Sequence, residues 1–272
     1  MSKTTQHTVF GEPNHEQLHI EATADTIKPV FAYARKLVDE CKLKVTHNGL
    51  EYTAVDPANV AMLGLNVPAD AFETYSVEET TMGIDLKSVM GALRAGRQKE
   101  SDEITLTRDG NMLKSRIHRD YSGTQLSLEN RLKLIDPDSI RQEPEIPDIE
   151  LNGEATIPRR MFDDIINQVD YYGEHIQIGA QGNNLVIDTE TDTEATTAVV
   201  EDVVNNSGSD EVSSLFSMDY MKDAIKAFAT IGVDELSLKF GTDLPVRIDF
   251  EKELNGATVT GNWFMAPRMR DE

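Results

Sequence analysis

At 272 residues the chain is long enough for two ordinary domains, and its 39% hydrophobic content is compatible with a packed core in each. Its 48 acidic and 26 basic residues give a formal charge of -22, which disfavours non-specific attraction to DNA or anionic lipid. The single cysteine, Cys41, excludes an internal disulfide, and residues 1–16 lack the apolar core of a signal peptide. No run of about 18 apolar residues is present, so we expect a soluble cytoplasmic protein with no membrane partner.

The first half contains two stretches with apolar residues at helical spacing, separated by segments that alternate with a period of two. Asn48-Gly49 and Asp109-Gly110 are turn dipeptides between alternating segments, which predicts antiparallel hairpins at these points. The helical positions are Ile27, Val30, Phe31, Ala34, Leu37 and Val38, followed by Leu86, Val89, Met90 and Leu93.

The stretch IDPDSIRQEPEIPDIE, residues 135–150, contains three prolines, six carboxylates and one arginine. Proline removes a backbone donor and biases the residue before it toward extended conformations, so we expect neither a helix nor a strand here. Four isoleucines nevertheless make the stretch too apolar for a plain disordered tether. We therefore predict a connector that also forms part of a binding surface.

The second half repeats the pattern of the first at an offset near 133 residues, as between Glu21 and Glu154 or Asp102 and Asp234, which indicates a duplicated unit. Its helical positions are Phe162, Ile165, Ile166 and Val169, followed by Met221, Ala224, Ile225 and Phe228. Gly182-Asn183 again marks a hairpin. We predict an α+β fold of two similar domains, each an antiparallel sheet with two helices on one face. The expected boundaries are an extension over 1–17, domains over 18–134 and 151–272, and a connector over 135–150.

Basic residues recur at helical spacing on three of the four predicted helices. Two interpretations remain open on spacing alone, namely solvated helix faces and a surface that meets a polyanion. The third helix weakens the second interpretation, because Arg159 and Arg160 are followed by Asp163, Asp164 and Asp170. The basic residues concerned are Lys28, Arg35, Lys87, Arg94, Arg97, Lys222 and Lys226.

Patterns for catalysis or metal binding are weak. The six histidines form no HExxH motif, none is placed to activate Cys41, and no phosphate-binding glycine loop occurs. The stretch DTETDTE, Asp188 to Glu194, alternates carboxylates as a calcium loop does, but Thr193 and Val199 replace the required glycine and glutamate. We therefore expect a solvated strand face there, with no catalytic residue, no metal and no cofactor.

Several short stretches together closely resemble the sliding clamps of the proliferating cell nuclear antigen family. They are AVDPANVAML from Ala54, LKLIDPD and EIPDIE around the connector, DLPVRIDF from Asp243, and WFMAPR from Trp263. The resemblance covers about residue 18 to the end. The form IDPDSIRQEPEIPD is similar to clamps of halophilic archaea or of viruses that infect them, and a salt-rich cytoplasm is one explanation of the acidity. An ordinary acidic protein is the other.

The resemblance implies a non-catalytic DNA polymerase processivity factor, a homotrimeric ring with helices lining a hole around duplex DNA and sheets outside. The seven basic residues above would face DNA, and few, weak phosphate contacts would suffice because encirclement is topological. The subunit joint would pair edge strands around Met112–His118 and Thr196–Glu201. Arg116 or Arg119 would face Glu201 or Asp202. The implied interface residues are Met112, Arg116, His118, Thr196, Ala198 and Glu201.

The resemblance also implies a groove that accepts short peptides from DNA polymerase, the clamp loader, nucleases and ligase. A few buried anchor contacts would supply most of the affinity. The matching positions are Val55, Asn59, Ile146, Pro147, Pro245, Phe264, Ala266 and Pro267.

Two further functions stay open beside the processivity clamp. One is a clamp-like adaptor subunit that assembles with non-identical chains into a hetero-oligomeric ring. The other is a metal-dependent hydrolase that uses the acidic loops, against which the missing calcium-loop ligands count.

Overall fold

The computed structural model describes residues 17–94, 102–141, 149–206 and 211–269, and within them the two halves contain the same elements in the same order. Each half has nine strands and two helices. The helices are α1 (Ala24–Ala34), α2 (Leu86–Ala92), α3 (Arg159–Asp170) and α4 (Met218–Ile231). The strands of the first half are β1 (Leu18–Thr23), β2 (Glu40–Thr46), β3 (Gly49–Val55), β4 (Ala61–Pro68), β5 (Thr74–Val77), β6 (Thr80–Asp85), β7 (Glu103–Asp109), β8 (Met112–Tyr121) and β9 (Thr124–Lys133). Those of the second half are β10 (Gly153–Pro158), β11 (His175–Gln181), β12 (Asn184–Glu190), β13 (Ala195–Val200), β14 (Val204–Asn206), β15 (Glu211–Ser217), β16 (Glu235–Phe240), β17 (Val246–Leu254) and β18 (Ala257–Met265).

The strands form three antiparallel sheets, one of which crosses both halves. Its order is β14-β10-β16-β17-β18-β4-β3-β2-β6, and β18 pairs with β4 at the boundary between the halves. The first half adds a five-stranded sheet, β5-β1-β7-β8-β9, and the second half a four-stranded sheet, β13-β12-β11-β15. The predicted hairpins at residues 48–49, 109–110 and 182–183 are confirmed as β2–β3, β7–β8 and β11–β12.

The helices form one continuous layer in the order α2-α1-α4-α3, since α1 contacts both α2 and α4, and α4 contacts α3. The apolar helical positions predicted from the sequence face the core, and Ile27, Phe162 and Phe228 are fully buried. Trp263 of β18 is also fully buried and contacts the Phe228 ring edge to face. Burying large apolar side chains stabilises each by about 1.5–3 kcal/mol, so this shared core holds the two halves together.

The α+β class, the antiparallel sheets and the two helices per half are confirmed. The division of strands differs from the expectation of one sheet per half, because each half splits its strands between its own sheet and the shared one. Alternation along a strand reports which side chains are buried, but it contains no information on which strand lies beside it. Among the described residues, no helix combines the length and the apolar composition that a membrane span requires.

Candidate functional site

The exposed side of α1 and α2 carries basic residues with few acidic neighbours. Lys87 and Arg94 are exposed, and neither forms an ion pair with any residue that the structure describes. Arg35 follows the last turn of α1 and lies 2.9 Å from Asp39, in a solvent-exposed pair of the kind that contributes little. Arg35, Lys87 and Arg94 therefore remain available to an outside anion.

Lys28 lies deeper in this face. Partial burial lowers the pKa of its ammonium, the Asp102 carboxylate opposes that change, and the Arg94 and Arg119 guanidiniums lower the pKa further. Asp102 itself is buried, and Arg119 donates to it through Nε at 2.8 Å and through a second guanidinium nitrogen. Asp102 is thus a buried acid beneath the basic face, and its carboxylate accepts two hydrogen bonds from Arg119. Arg97 lies outside the described residues.

The second half has basic residues at similar places, but they are paired. Lys222 of α4 lies 3.1 Å from Asp170 of α3, and this hydrogen bond and charge raise the pKa of the lysine. Lys226 lies 3.0 Å from Asp223 on the same helix. On α3, Arg159 pairs with Asp163, although burial raises the pKa of that carboxyl despite the arginine. Each of these basic side chains already has an acidic partner within the chain.

The predicted groove residues that the structure describes converge at one corner of the shared sheet. Val55 lies opposite Met62 across β3 and β4, and Met62 lies opposite Phe264 across β4 and β18. The Ala266 amide donates to the Val60 carbonyl at 2.8 Å, which holds the C-terminal segment against the loop after β3. The pairing of Val246 with Met265 places Pro245 next to this segment. Phe264, Ala266, Pro267 and Pro245 are all partly exposed, as a binding surface requires.

The connector is anchored where the structure describes it. The Ile135 amide donates to the Gly83 carbonyl at 2.8 Å, and Ile140 is buried against the same glycine. A side chain at Gly83 would meet the Ile135 carbonyl carbon at 2.9 Å, so this approach requires glycine. Pro137–Ser139 forms one turn of 3-10 helix, and the predicted absence of longer elements holds over residues 135–141. Ile146 and Pro147 lie outside the described residues.

The loop between β3 and β4 is organised around Asp56, which is only 3% exposed. Its carboxylate accepts hydrogen bonds from the backbone amides of Ala58, Val60 and Ala61 at 2.7–2.8 Å. It also accepts one from the Tyr220 hydroxyl of α4 at 2.7 Å. Burial alone would raise the pKa of Asp56, but the hydrogen bonds outweigh it and the pKa lies below its ordinary value. The ionised carboxylate thus fixes one wall of the groove.

The predicted edge strand of the first half is wrong. Met112, Arg116 and His118 belong to β8, which pairs with β7 on one side and with β9 on the other. The reason is a tight turn at Ser122-Gly123, both with positive φ, which sends the chain back as one more strand. Arg119 is also excluded from the subunit joint, since Asp102 holds it in the interior.

Two outer strands of the smaller sheets, β9 and β13, each have a free edge within the described residues, and β5 and β15 end the same sheets on the other side. β13 contains Thr196 and Ala198, and Glu201 follows it, so this predicted edge strand is confirmed as an edge. Each strand also has an exposed apolar side chain, Leu128 on β9 and Val199 on β13. β9 contacts α2 and β13 contacts α3, so the free edges lie at opposite ends of the helix layer.

The chemistry of the two edges is complementary. On β9, Glu129 is nearly buried between Arg116 and Arg131, whose hydrogen bonds of 2.8–2.9 Å lower its pKa. Arg131 and Lys133 remain exposed and make this edge basic. The edge strand β13 is instead flanked by exposed acids, which are Glu190, Asp192, Glu194, Glu201 and Asp202.

The acidic stretch Asp188–Glu194 forms the end of β12 and the turn before β13, with its last three acids exposed. Across the residues that the structure describes, no three His, Cys, Asp or Glu side chains converge as a metal site would need. A polar concavity of about 670 Å³ lies elsewhere, on the helix-free face of the shared sheet, and is lined by charged side chains such as Lys44, Glu51, Lys239 and Asp249. It does not include the predicted groove residues.

Sequence reasoning missed Asp56, Tyr220 and β9. The Asp-Pro pair at 56–57 signals a turn, but nothing in it predicts a partner 164 residues away in Tyr220. The stretch TQLSLENRLK after Ser122-Gly123 does contain a signal for β9, since Leu126, Leu128 and Leu132 alternate after a turn dipeptide.

The chain is similar to proteins of known function along almost its whole length. A family model described as proliferating cell nuclear antigen, N-terminal domain, matches residues 19–140. A DNA polymerase sliding clamp of Natronomonas pharaonis is 33% identical over 257 residues, which are 92% of this chain and 98% of that relative. One of Halobacterium salinarum is 34% identical over 256 residues, or 91% and 97%. The solved structure of the C-terminal region of FEN-1 bound to A. fulgidus PCNA matches with a TM-score of 0.80 at 29% identity, over 94% of this chain and 100% of that one.

Proposed function

The chain belongs to the proliferating cell nuclear antigen family, and from that premise we propose that it is a DNA sliding clamp built as a homotrimeric ring. The ring encircles duplex DNA and tethers polymerases and other replication enzymes, and it works by encirclement rather than by catalysis. The two clamp domains keep the boundaries 18–134 and 151–272. Its action on DNA places it in the cytoplasm of an archaeal cell or of the host of an archaeal virus.

The observation that carries this proposal is the continuous helix layer with a free strand edge at each end. A head-to-tail contact closes into a ring only if each subunit offers two different, complementary edges. β9 beside α2 and β13 beside α3 are such edges, one basic and one acidic. Their pairing would extend the sheets and the helix layer from one subunit to the next.

In this joint β9 replaces the strand first expected from the sequence. Thr196, Ala198 and Glu201 keep their place on the acidic side. Both Arg116 and Arg131 pair with Glu129, but Arg131 lies on the edge strand and is 62% exposed, so it takes the role of the ionic partner. Leu128 and Val199 would lose their exposure on assembly. Removing two free edges also prevents uncontrolled strand pairing between molecules.

The DNA face is the exposed side of the helix layer. Lys28, Arg35, Lys87 and Arg94 make up its basic part among the described residues of the first half, while Lys222 and Lys226 are neutralised by neighbouring acids. Affinity that depends on phosphate contacts falls by about 10³–10⁵ between 50 and 200 mM salt for 6–10 contacts. Because a closed ring is held topologically, this chain needs only a face that does not repel DNA.

The partner groove is the corner formed by Val55, Asn59, Pro245, Phe264 and Ala266, and the connector completes it. The solved relative that carries the FEN-1 C-terminal region supports a peptide as its occupant. Partly exposed apolar side chains beside a loop of fixed shape suit the anchors of a one-turn helical peptide.

Light scattering in molar salt tests the ring, and a mass near three chains of 30.3 kDa is expected. Leu128→Asp should give single chains, whereas Gln125→Asp, an exposed change on the opposite face of the same strand, should leave the trimer intact. A wild-type protein that assembles only after mixing with a second, different clamp chain would favour the hetero-oligomeric adaptor instead.

Peptide capture tests the groove. Phe264→Ala and Ile146→Asp should abolish binding of a peptide from the C-terminal region of a FEN-1 nuclease and leave the trimer mass unchanged. Thr260→Ala, an exposed position on the same strand and face as Phe264, serves as the matched control. Normal peptide binding by both groove variants would refute the assignment.

A further inference from the structure

The loop that forms one wall of the groove is held by internal hydrogen bonds and by contacts from two distant parts of the chain. Asp56 supplies the internal support through three backbone amides. Arg141, at the start of the connector, donates to the Pro57 carbonyl at 2.8 Å. Tyr220, in the first turn of α4, donates its hydroxyl to the Asp56 carboxylate at 2.7 Å.

The loop changes direction sharply within a few residues. Asn59 has a φ of 58°, in the left-handed region, which asparagine enters more readily than most other non-glycine residues. Each backbone amide bound to Asp56 fixes another part of the turn, and the buried carboxylate in turn requires donors to remain ionised. Tyr220 is the only one of these donors that is distant in sequence, since the three backbone donors lie within residues 58–61.

We propose that Tyr220 is a positioning residue of the partner groove, acting from the helix layer through Asp56 on the loop that carries Asn59 and Val60. This inference rests on the proposed function, because it concerns the shape of the groove that the proposal assigns to partner peptides. The hydroxyl orients the carboxylate, the carboxylate orients the loop amides, and the loop presents its side chains to the peptide. Since the donor belongs to α4, the groove and the helix layer share one hydrogen bond.

The test is Tyr220→Phe, which removes the hydroxyl and keeps the ring. We expect binding of a fluorescent peptide from the C-terminal region of a FEN-1 nuclease to weaken roughly tenfold, as for a lost hydrogen bond to a charged group. Amide hydrogen exchange of residues 56–61 should become faster, while trimer mass is retained. Tyr171→Phe is the matched control, because Tyr171 follows α3 and is 80% exposed.

Asp56→Asn and the double variant complete the experiment. If the hydroxyl acts through the carboxylate, the double variant should bind the peptide about as weakly as Asp56→Asn alone, so that the two effects are not additive. Additive losses would overturn the proposal. So would a Tyr220→Phe protein with unchanged peptide affinity and unchanged loop exchange, even if its unfolding temperature fell.

Failure of the proposed function would look different. In that case the wild-type protein would not bind the peptide, and hydrogen exchange would still decide the role of Tyr220. Faster exchange confined to residues 56–61 in Tyr220→Phe, absent in Tyr171→Phe, would sustain the positioning role. Unchanged hydrogen exchange in both variants would contradict the positioning role of Tyr220.

Discussion

The helix pairs of the two halves occupy equivalent places in a duplicated fold, yet they differ in the number and pairing of their charged residues. From Ala24 to Lys36 and from Leu86 to Arg94, the first pair contains five basic residues and one acid. The second pair, α3 and α4, contains four basic and five acidic residues. In the first half Asp102, which interacts electrostatically with Lys28, is buried against Arg119, whereas in the second half Asp170 and Asp223 lie on the helices beside the lysines.

This difference shows how a chain of charge -22 can have one surface that does not strongly repel DNA. The first half has few acids on its helices, and the second half neutralises its lysines with neighbouring acids. The first arrangement leaves more unpaired positive charge for phosphate, because among the basic residues of α3 and α4 only Arg160 forms no ion pair with a described residue. We therefore expect DNA contacts of the ring to be concentrated on α1 and α2 of each subunit.

The largest expected difference concerns the acids themselves. Asp102→Asn leaves Arg119 buried without its counter-charge and should cost about 3–5 kcal/mol of unfolding free energy. Asp163→Asn should change it by only about 1 kcal/mol or less, because that pair is partly exposed and burial already disfavours the charged carboxyl. Urea unfolding at constant high salt and fixed protein concentration, followed by the fluorescence of the single tryptophan, Trp263, measures both. Equal losses would show that the two acids play the same role.

Charge reversal tests where DNA is contacted. The slope of log K against log salt is negative for binding to linear duplex DNA. Lys87→Glu with Arg94→Glu should reduce the magnitude of this slope by about 2, roughly one unit per lost phosphate contact. Lys222→Glu with Lys226→Glu should change it by less than about 1, because both lysines are already paired. Fluorescence anisotropy over a low-salt series gives the slopes. A larger effect from the second pair would reverse the assignment, and tight binding of wild type to linear DNA in molar salt would contradict topological retention.

Removing the partner acids should make the second half resemble the first. Asp170→Asn with Asp223→Asn frees Lys222 and Lys226 and should increase the magnitude of the same salt slope by about 1 to 2. Asp243→Asn, on an exposed turn outside the helix layer, controls for the loss of negative charge as such. An unchanged slope in the double variant would mean that these lysines do not meet DNA.

The smallest expected effect is a difference in lysine ionisation between the halves. Burial lowers the pKa of Lys28, whereas Asp170 raises that of Lys222, so at any alkaline pH Lys28 has the larger fraction of neutral amine. Competitive acetylation with trace anhydride, read by mass spectrometry from pH 8 upward, should therefore give Lys28 the lower midpoint. Coincident midpoints would mean that the two environments do not differ.

Much of the fold could be predicted because duplication and periodicity are local properties of the chain. Residues such as Ile27, Phe162 and Phe228 were recognised as core because helical spacing reports burial directly. The edge strand was misassigned because side chains alternate in the same way in β8 and in β9. Whether β8 is an inner or an outer strand depends on whether another strand follows it, and one does. The groove residues could be named from the family resemblance, but the Tyr220 contact to Asp56 could not.

The sequence by itself determined two lobes of like construction, a proline-rich connector, four amphipathic helices and the residue types on each face. The tertiary structure alone decided that the lobes share a sheet through β4 and β18, that the edge strands β9 and β13 lie at opposite ends of the helix layer, and that Tyr220 of α4 hydrogen-bonds to the groove loop. Periodicity fixes which face of an element is buried, since burial follows from the element's own side chains. Partners across the fold depend instead on how elements pack, and contacts between residues 56 and 220 or 63 and 263 exist only once the whole core has formed.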